Sequence, residues 1–309
     1  MSFTSWAWLR LGRRALLRPR TFSNPNFIRI PLDQKVEEEK LPDYLPARYY
    51  PVRIGEVFVD RYQVVGKLGF GATSTVWLAR DLMSQQRHVA LKVFIRSQAL
   101  GKKRVGNEIA MYRRMEQRAS SHPGRGVVRT LLDSFRVDGP DREHLVLAHP
   151  PLGESVEGAI RRSSPRHLTV FGVRFVLKDI SLALDADIKA DNIMFGIADP
   201  SLFAEFEEEE IRNPCPRKEI EGRTIYISRA ISSPGKIGPP VLCDFGSAVF
   251  GDRGEHLECV QPNVYRAPEV TLRAHWDYKI DIWNVGCMVS APLTGHIPPT
   301  RKSITAQLG

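Results

Sequence analysis

Several absences narrow what this chain can be. No run of apolar residues approaches the length a helix needs to cross a bilayer, which excludes a spanning helix. Cysteine is scarce. Cys215, Cys243, Cys259 and Cys287 form no C-x-x-C pair, so neither a zinc site nor a disulfide framework is suggested, and a reducing compartment fits. Acid is missing from the start of the chain: Arg10, Arg13, Arg14, Arg18, Arg20 and Arg29 all precede the first acidic residue, Asp33. Serine and threonine are missing between Ala248 and Arg266. No internal repeat is visible.

What remains is an ordinary globular composition, with 42% hydrophobic and 26% charged residues over 309 positions. The net charge of +9 is partly the early arginines, so no direct binding to nucleic acid is expected. Arg10, Arg13, Arg14 and Arg18 would line one helical stripe, and residues 1–32 as a whole resemble a mitochondrial transit peptide. A disordered basic tail or a misassigned start are the alternatives.

Residues 33–57, with Pro42, Pro46 and Pro51, read as a linker packed onto the next domain. Strand-like runs follow at Tyr62 to Leu68, Ser74 to Arg80, His88 to Ile95 and His144 to Ala148. Gly101 to Ala119 has helical spacing, with Val105, Ile109 and Tyr112 on one face. After Pro150 the pattern is mainly helical. Strands first and helices later predict an α+β protein of two lobes. The expected division is 1–57 leader and linker, 58–149 β-rich lobe, and 150–309 helical lobe with an insertion at about 197–240. Within that insertion the acidic run from Glu205 to Glu210 reads as solvated, Glu205 to Arg217 as a disordered loop, and Thr224 to Ile227 as an edge strand.

Five motifs carry chemistry. Gly69-Phe70-Gly71 after a strand lets backbone N–H groups approach phosphates, and Ser74 and Val76 follow it. Val89-Ala90-Leu91-Lys92 puts a lysine on the next strand, and Glu108, on the helix beyond, is its candidate ion-pair partner. Asp187-Ile188-Lys189-Ala190-Asp191-Asn192 offers a base in Asp187, a cation in Lys189 and a metal ligand in Asn192. Asp244-Phe245-Gly246 offers a second metal ligand in Asp244. Ala267-Pro268-Glu269, followed by Asp281 to Gly286, closes the series. Each motif is weak alone, but all five stand in the order of a protein kinase.

Longer stretches sharpen the match: F-G-A-T-S-T-V-W-L from Phe70, D-I-K-A-D-N-I-M-F from Asp187, V-L-C-D-F-G-S-A-V-F from Val241, Y-R-A-P-E-V from Tyr265 and D-I-W-N-V-G-C-M from Asp281. Together they resemble the SR-protein kinases, from about Leu41 to Met288. The resemblance implies a two-lobed kinase fold, ATP between the lobes, Mg²⁺, and phosphate transfer to Ser/Thr hydroxyls of protein substrates, classically arginine/serine-rich splicing factors. It also implies a monomer in the cytoplasm or nucleus.

The pattern breaks in places. Asp185 stands where the family has a histidine, and Phe171 to Leu184 joins the catalytic loop without the usual strand. The run Gln261 to Arg266 lacks the family's threonine. The sequence ends at Gly309, so the expected second lobe lacks its distal helices, and the Trp283, Val285 and Met288 helix is expected to be partly exposed. The alternatives to an active kinase are a catalytically dead ATP-binding module and a basic RNA-associated protein.

Overall fold

The computed structural model describes residues 17–84, 88–118, 123–140, 143–162, 192–231, 237–246, 248, 256–261 and 266–294, with the backbone only at 97–105, 118, 123, 124 and 288–294. The elements among these residues are strands β1 (Val57–Phe58), β2 (Tyr62–Phe70), β3 (Ser74–Asp81) and β4 (His88–Phe94), helix α1 (Ser97–Arg118), strands β5 (Asp133–Asp138) and β6 (Glu143–His149), and helix α2 (Val156–Arg162). Then come β7 (Ile193–Ile197), α3 (Ser201–Arg212), β8 (Arg217–Ile220), β9 (Arg223–Tyr226), β10 (Ile237–Leu242), α4 (Pro268–Thr271) and α5 (Lys279–Thr294). The α+β expectation holds. The chain divides into two compact units: Met1–Leu100, Leu131–Pro151 and Pro200–Ile231 form the first, and Gly101–Thr130, Leu152–Asp199 and Ser232–Gly309 the second.

The first unit is built on a six-stranded antiparallel sheet in the order β1-β2-β3-β4-β6-β5. Its strands follow from period-2 patterning: Val89, Leu91 and Val93 of β4 join Trp77 and Ala79 of β3 in one apolar cluster. Tyr62 stacks on Phe135 at 5.4 Å, and Trp77 meets Tyr226 edge-on at 5.7 Å. Arg61 closes the β2–β3 end with a two-pronged contact to Asp81, both bonds 2.8 Å. The four strands read from the sequence are all present. β5 was not foreseen, because Asp-Ser-Phe-Arg-Val-Asp alternates only weakly and Phe135 is its one fully buried side chain.

The expected disordered loop at Glu205 to Arg217 is not there. Ser201–Arg212 is a helix with Phe203, Phe206, Glu207 and Glu210 buried, at i, i+3, i+4 and i+7. Two glutamates fall on that stripe because polar partners elsewhere in the chain receive them. Glu207 accepts from Arg20 at 2.9 Å and meets Arg80 at 3.4 Å and His88 at 3.0 Å. Glu210 meets Arg229 at 3.2 Å and accepts from the Cys215 N–H at 3.0 Å. Asn24 caps the helix, donating to the carbonyls of Ile211 and Arg212. The expected strand at Thr224 to Ile227 appears as β9, paired with β8. Residues 28–30 bond Arg217 from the other side of β8, so the disordered-tail reading does not describe residues 17–32.

Helix α3 sits on β2 through a glycine. A Cβ at Gly66 would lie 2.8 Å from Phe206 Cε1, closer than carbon atoms approach. Gly66→Ala is therefore expected to cost about 1–3 kcal/mol by overpacking, with part of the loss recovered by adding Phe206→Leu. A urea midpoint equal to wild type would show that Phe206 does not need the glycine.

Acid sensitivity should come from the same helix. Burial works against the Glu207 carboxylate, but the hydrogen bond with His88, the charge of Arg80 and the hydrogen bond from Arg20 outweigh it and hold its pKa below the usual carboxylate range. A depressed folded-state pKa contributes stability above the unfolded value, and that stability disappears as pH falls through the lower folded value. The stability gap between wild type and Glu207→Gln should be widest at neutral pH and should shrink below about pH 4.5. Urea unfolding at several pH values checks this; a gap that grows toward acid would contradict it.

In the second unit β7 pairs antiparallel with β10, Ile193 opposite Leu242 and Phe195 opposite Pro240. The backbones nearly touch where Gly196 meets Gly238: a Cβ on Gly238 would stand 2.9 Å from the Gly196 carbonyl carbon. A smaller cluster of Ala267, Val270 and Ile280, flanked by Val260 and Trp276, joins α4 to α5. On α5, Ile282 and Trp283 are exposed and Val285 is half-buried, as expected, while the Met288 side chain lies outside the described residues. No described helix is long and apolar enough to cross a membrane.

Candidate functional site

The glycine turn is the hairpin between β2 and β3. Gly69 pairs with Val76 and Phe70 with Thr75, and the Gly71 N–H closes the turn on the Ser74 carbonyl at 2.8 Å. The ladder continues with Val76 opposite Lys92 and Leu78 opposite Ala90. Cross-strand partners project to the same side of a sheet. Val76, Ala90 and Lys92 therefore share the face opposite the Trp77–Leu91 cluster, and Val76 is the cross-strand partner of Gly69 at the glycine turn. Lys92 is buried, and its ammonium lies 4.9 Å from the Phe94 ring. The sequence named these residues separately; the register brings Gly69, Gly71, Ser74, Val76, Ala90 and Lys92 into one neighbourhood.

Asp244 follows directly on β10. It stands at a φ of +63°, a left-handed conformation uncommon outside glycine, and its side chain is exposed. The conformation is held from several sides. The Cys243 N–H bonds the Asn192 carbonyl at 2.8 Å, and the Asn192 amide donates to the Asp244 carbonyl at 3.4 Å. The Arg129 N–H bonds the Leu242 carbonyl at 2.9 Å. Phe245 is buried against Tyr112 of α1 in an edge-to-face contact at 5.4 Å. Burial, with the charge of Glu108 second, pushes the Tyr112 hydroxyl well above its ordinary range. These contacts fix a short polar residue in a sparsely populated conformation.

Glu108 is buried on α1, and its Oε2 would lie 3.4 Å from a Cβ placed on Gly246. The sequence matched Glu108 to Lys92; it did not foresee its place beside Gly246. Gly246, lacking a side chain, leaves room for this carboxylate. Asn192 and Asp244 are oxygen-bearing groups on adjacent ends of one ladder, a donor chemistry suited to a hard cation such as Mg²⁺, which typically takes few protein ligands. Among the described residues no three His, Cys, Asp or Glu side chains gather as a metal site. Asp187 and Lys189 lie outside the described residues, as do Asp185, the stretch Phe171 to Leu184, Ser247 and Tyr265.

Comparison with known proteins identifies the family. The protein kinase domain family matches residues 232–308. A serine/threonine protein kinase of Aspergillus fumigatus is 38% identical over 283 residues, covering 91% of this chain and 70% of that protein. The serine/threonine-protein kinase SRPK of Physarum polycephalum is 28% identical, covering 84% of this chain and 67% of its own length. Human SRSF protein kinase 3 is 34% identical over 173 residues, covering 53% of this chain and 30% of the relative. By the order of its motifs and by these similarities, the chain belongs to the serine/threonine protein kinases, with SR-protein kinases among its relatives.

Proposed function

We propose that the chain is an ATP-dependent kinase that phosphorylates serine or threonine in arginine-rich protein segments. The observation that carries the reading is the β3–β4 register, which gathers Val76, Ala90 and Lys92 on one sheet face beside the glycine turn. Adenine packs on apolar side chains such as Val76 and Ala90, the turn's N–H groups meet phosphate oxygens, and Lys92 neutralises the α- and β-phosphates. Asn192 and Asp244 are the residues that would hold Mg²⁺, which would supply neutralisation of phosphate charge. The acceptor hydroxyl oxygen bonds to the γ-phosphorus as the bond to the β,γ-bridging oxygen breaks. Asp187 takes the hydroxyl proton, ADP leaves, and Lys189 offsets charge on the moving group.

Transfer of labelled γ-phosphate from Mg·ATP to an arginine/serine-rich peptide tests the proposal. Transfer to that peptide, and weaker transfer to one with lysine in place of arginine, is the expected result. Nucleotide binding with no transfer to any peptide would make the chain an ATP-binding module instead.

The reading also sets an expectation for control. Many kinases order the activation segment by pairing a phosphorylated Ser or Thr with arginine. Here nothing between Ala248 and Arg266 can take that role, and a phosphate on Ser247 would repel Asp244 and the nucleotide. Phosphatase treatment of purified enzyme is expected to leave the rate unchanged. A large loss of rate, restored by rephosphorylation between Ser247 and Tyr265, would refute this.

A further inference from the structure

We infer that the segment 200–231 and the linker before β1 are positioning elements for the glycine turn, acting through Lys67, Tyr49 and Arg223. The inference rests on the ATP reading above and adds residues to it that the nucleotide does not touch.

Lys67 lies on β2 two residues before Gly69, and only 1% of it is exposed. A lysine so buried must be neutralised or partnered. Its ammonium pairs with Glu38, lies 3.3 Å from Glu37, and donates to the Tyr226 carbonyl at 3.1 Å. The same ammonium stands 5.3 Å from the ring of Phe70, the residue between the two glycines, within cation–π range. The backbone is held as well: the Arg229 N–H bonds the Lys67 carbonyl at 2.9 Å. One buried cation thus ties the turn's own aromatic residue to the linker and to the end of β9.

The linker is itself fixed by the hairpin. Glu37 accepts from the Ser228 hydroxyl at 2.6 Å, and Glu39 pairs with Lys218 at 2.9 Å. Glu37 holds a φ of +51°, a strained conformation for a glutamate. Further on, Arg223 donates to the carbonyls of Pro46 and Tyr49, the latter at 2.6 Å. Tyr49 is buried, and its hydroxyl donates to the Gly71 carbonyl at 3.4 Å. The turn is therefore held at Phe70 and at Gly71, and both holds lead back to the β8–β9 hairpin. A glycine turn left to itself samples many conformations, and nucleotide binding would have to restrict them. Restricting them beforehand favours binding without altering the groups that carry out transfer.

The test uses three variants of the full chain, Tyr49→Phe, Arg223→Lys and Lys67→Met, with Lys92→Ala as control. Measured are Mg·ATP affinity by calorimetry, KM for ATP, KM for peptide, kcat, and exchange of the Gly71 amide. Positioning predicts that Kd and KM for ATP rise by about 3- to 30-fold, that Gly71 exchanges faster, and that kcat and the peptide KM stay within about twofold. A merely structural role would lower the active fraction, so kcat would fall while KM for ATP stayed fixed. Lys67→Met removes a buried charge and can unfold the chain; Tyr49→Phe deletes one hydroxyl and keeps the test decisive. If Lys92→Ala weakens ATP while Tyr49→Phe and Arg223→Lys bind it as wild type does, the positioning proposal fails and the ATP reading stands. If Lys92→Ala binds ATP unchanged, the ATP reading fails and takes this inference with it.

Discussion

Asp187→Asn is expected to lower turnover by about two to four orders of magnitude, the range that a positioned general base contributes, while Mg·ATP affinity changes less than about twofold. The asymmetry follows from what the side chain serves. On the proposed mechanism Asp187 orients and deprotonates the acceptor, so its loss would be felt as the hydroxyl attacks and not when the nucleotide binds. Asparagine keeps size and one acceptor oxygen but cannot take the proton. Single-turnover transfer to an arginine/serine-rich peptide, set beside calorimetric titration with Mg·ATP, reads both quantities. Equal losses in affinity and turnover would place Asp187 in the nucleotide site, and unchanged turnover would remove it from the chemistry.

Lys92→Ala is expected to weaken Mg·ATP by about tenfold to a hundredfold, the equivalent of the about 1.5–3 kcal/mol that a hydrogen bond to a charged partner contributes. The lysine is buried on the face it shares with Val76 and Ala90, so water cannot fully replace it. The loss should be larger for ATP and ADP than for adenosine, because the proposed contact is to phosphate. Equal affinity of mutant and wild type for ATP would show that the lysine serves the fold and not the nucleotide.

The parts of the fold legible in the sequence were those whose partners lie close along the chain. β2, β3 and β4 are consecutive, rich in Val and Leu and separated by turns, so their own patterning declares them. The placement of the candidate residues Gly69, Gly71, Val76, Ala90 and Lys92 on these strands and the turn between them was legible for the same reason. Helix α3 was hidden because its buried stripe includes Glu207 and Glu210. A glutamate reads as solvated until its partners are known, and Arg20, the cross-strand neighbours Arg80 and His88, and Arg229 come from three other parts of the chain. Phe203 and Phe206, three apart, were the signal available. Lys67 was hidden in the same way, since Glu38 and the Tyr226 carbonyl meet it only after folding. The strained Asp244 could be suspected from its motif, but the contacts that hold it could not.

The buried Lys67–Glu38 pair carries a consequence for how this family can diversify. Removing Lys67 alone strands Glu38, typically at a cost of about 3–5 kcal/mol, and removing Glu38 alone leaves Lys67 to Glu37 at 3.3 Å, whereas replacing both with apolar residues of similar volume is often neutral. A lineage can leave the charged state only by crossing a damaged intermediate or by changing both positions together. Positions 38 and 67 should therefore covary among relatives that keep the β8–β9 hairpin, with Lys/Glu exchanged for an apolar pair and mixed combinations rare. Relatives without the hairpin lose the Tyr226 carbonyl as an acceptor, and in them position 67 is expected to drift independently of position 38.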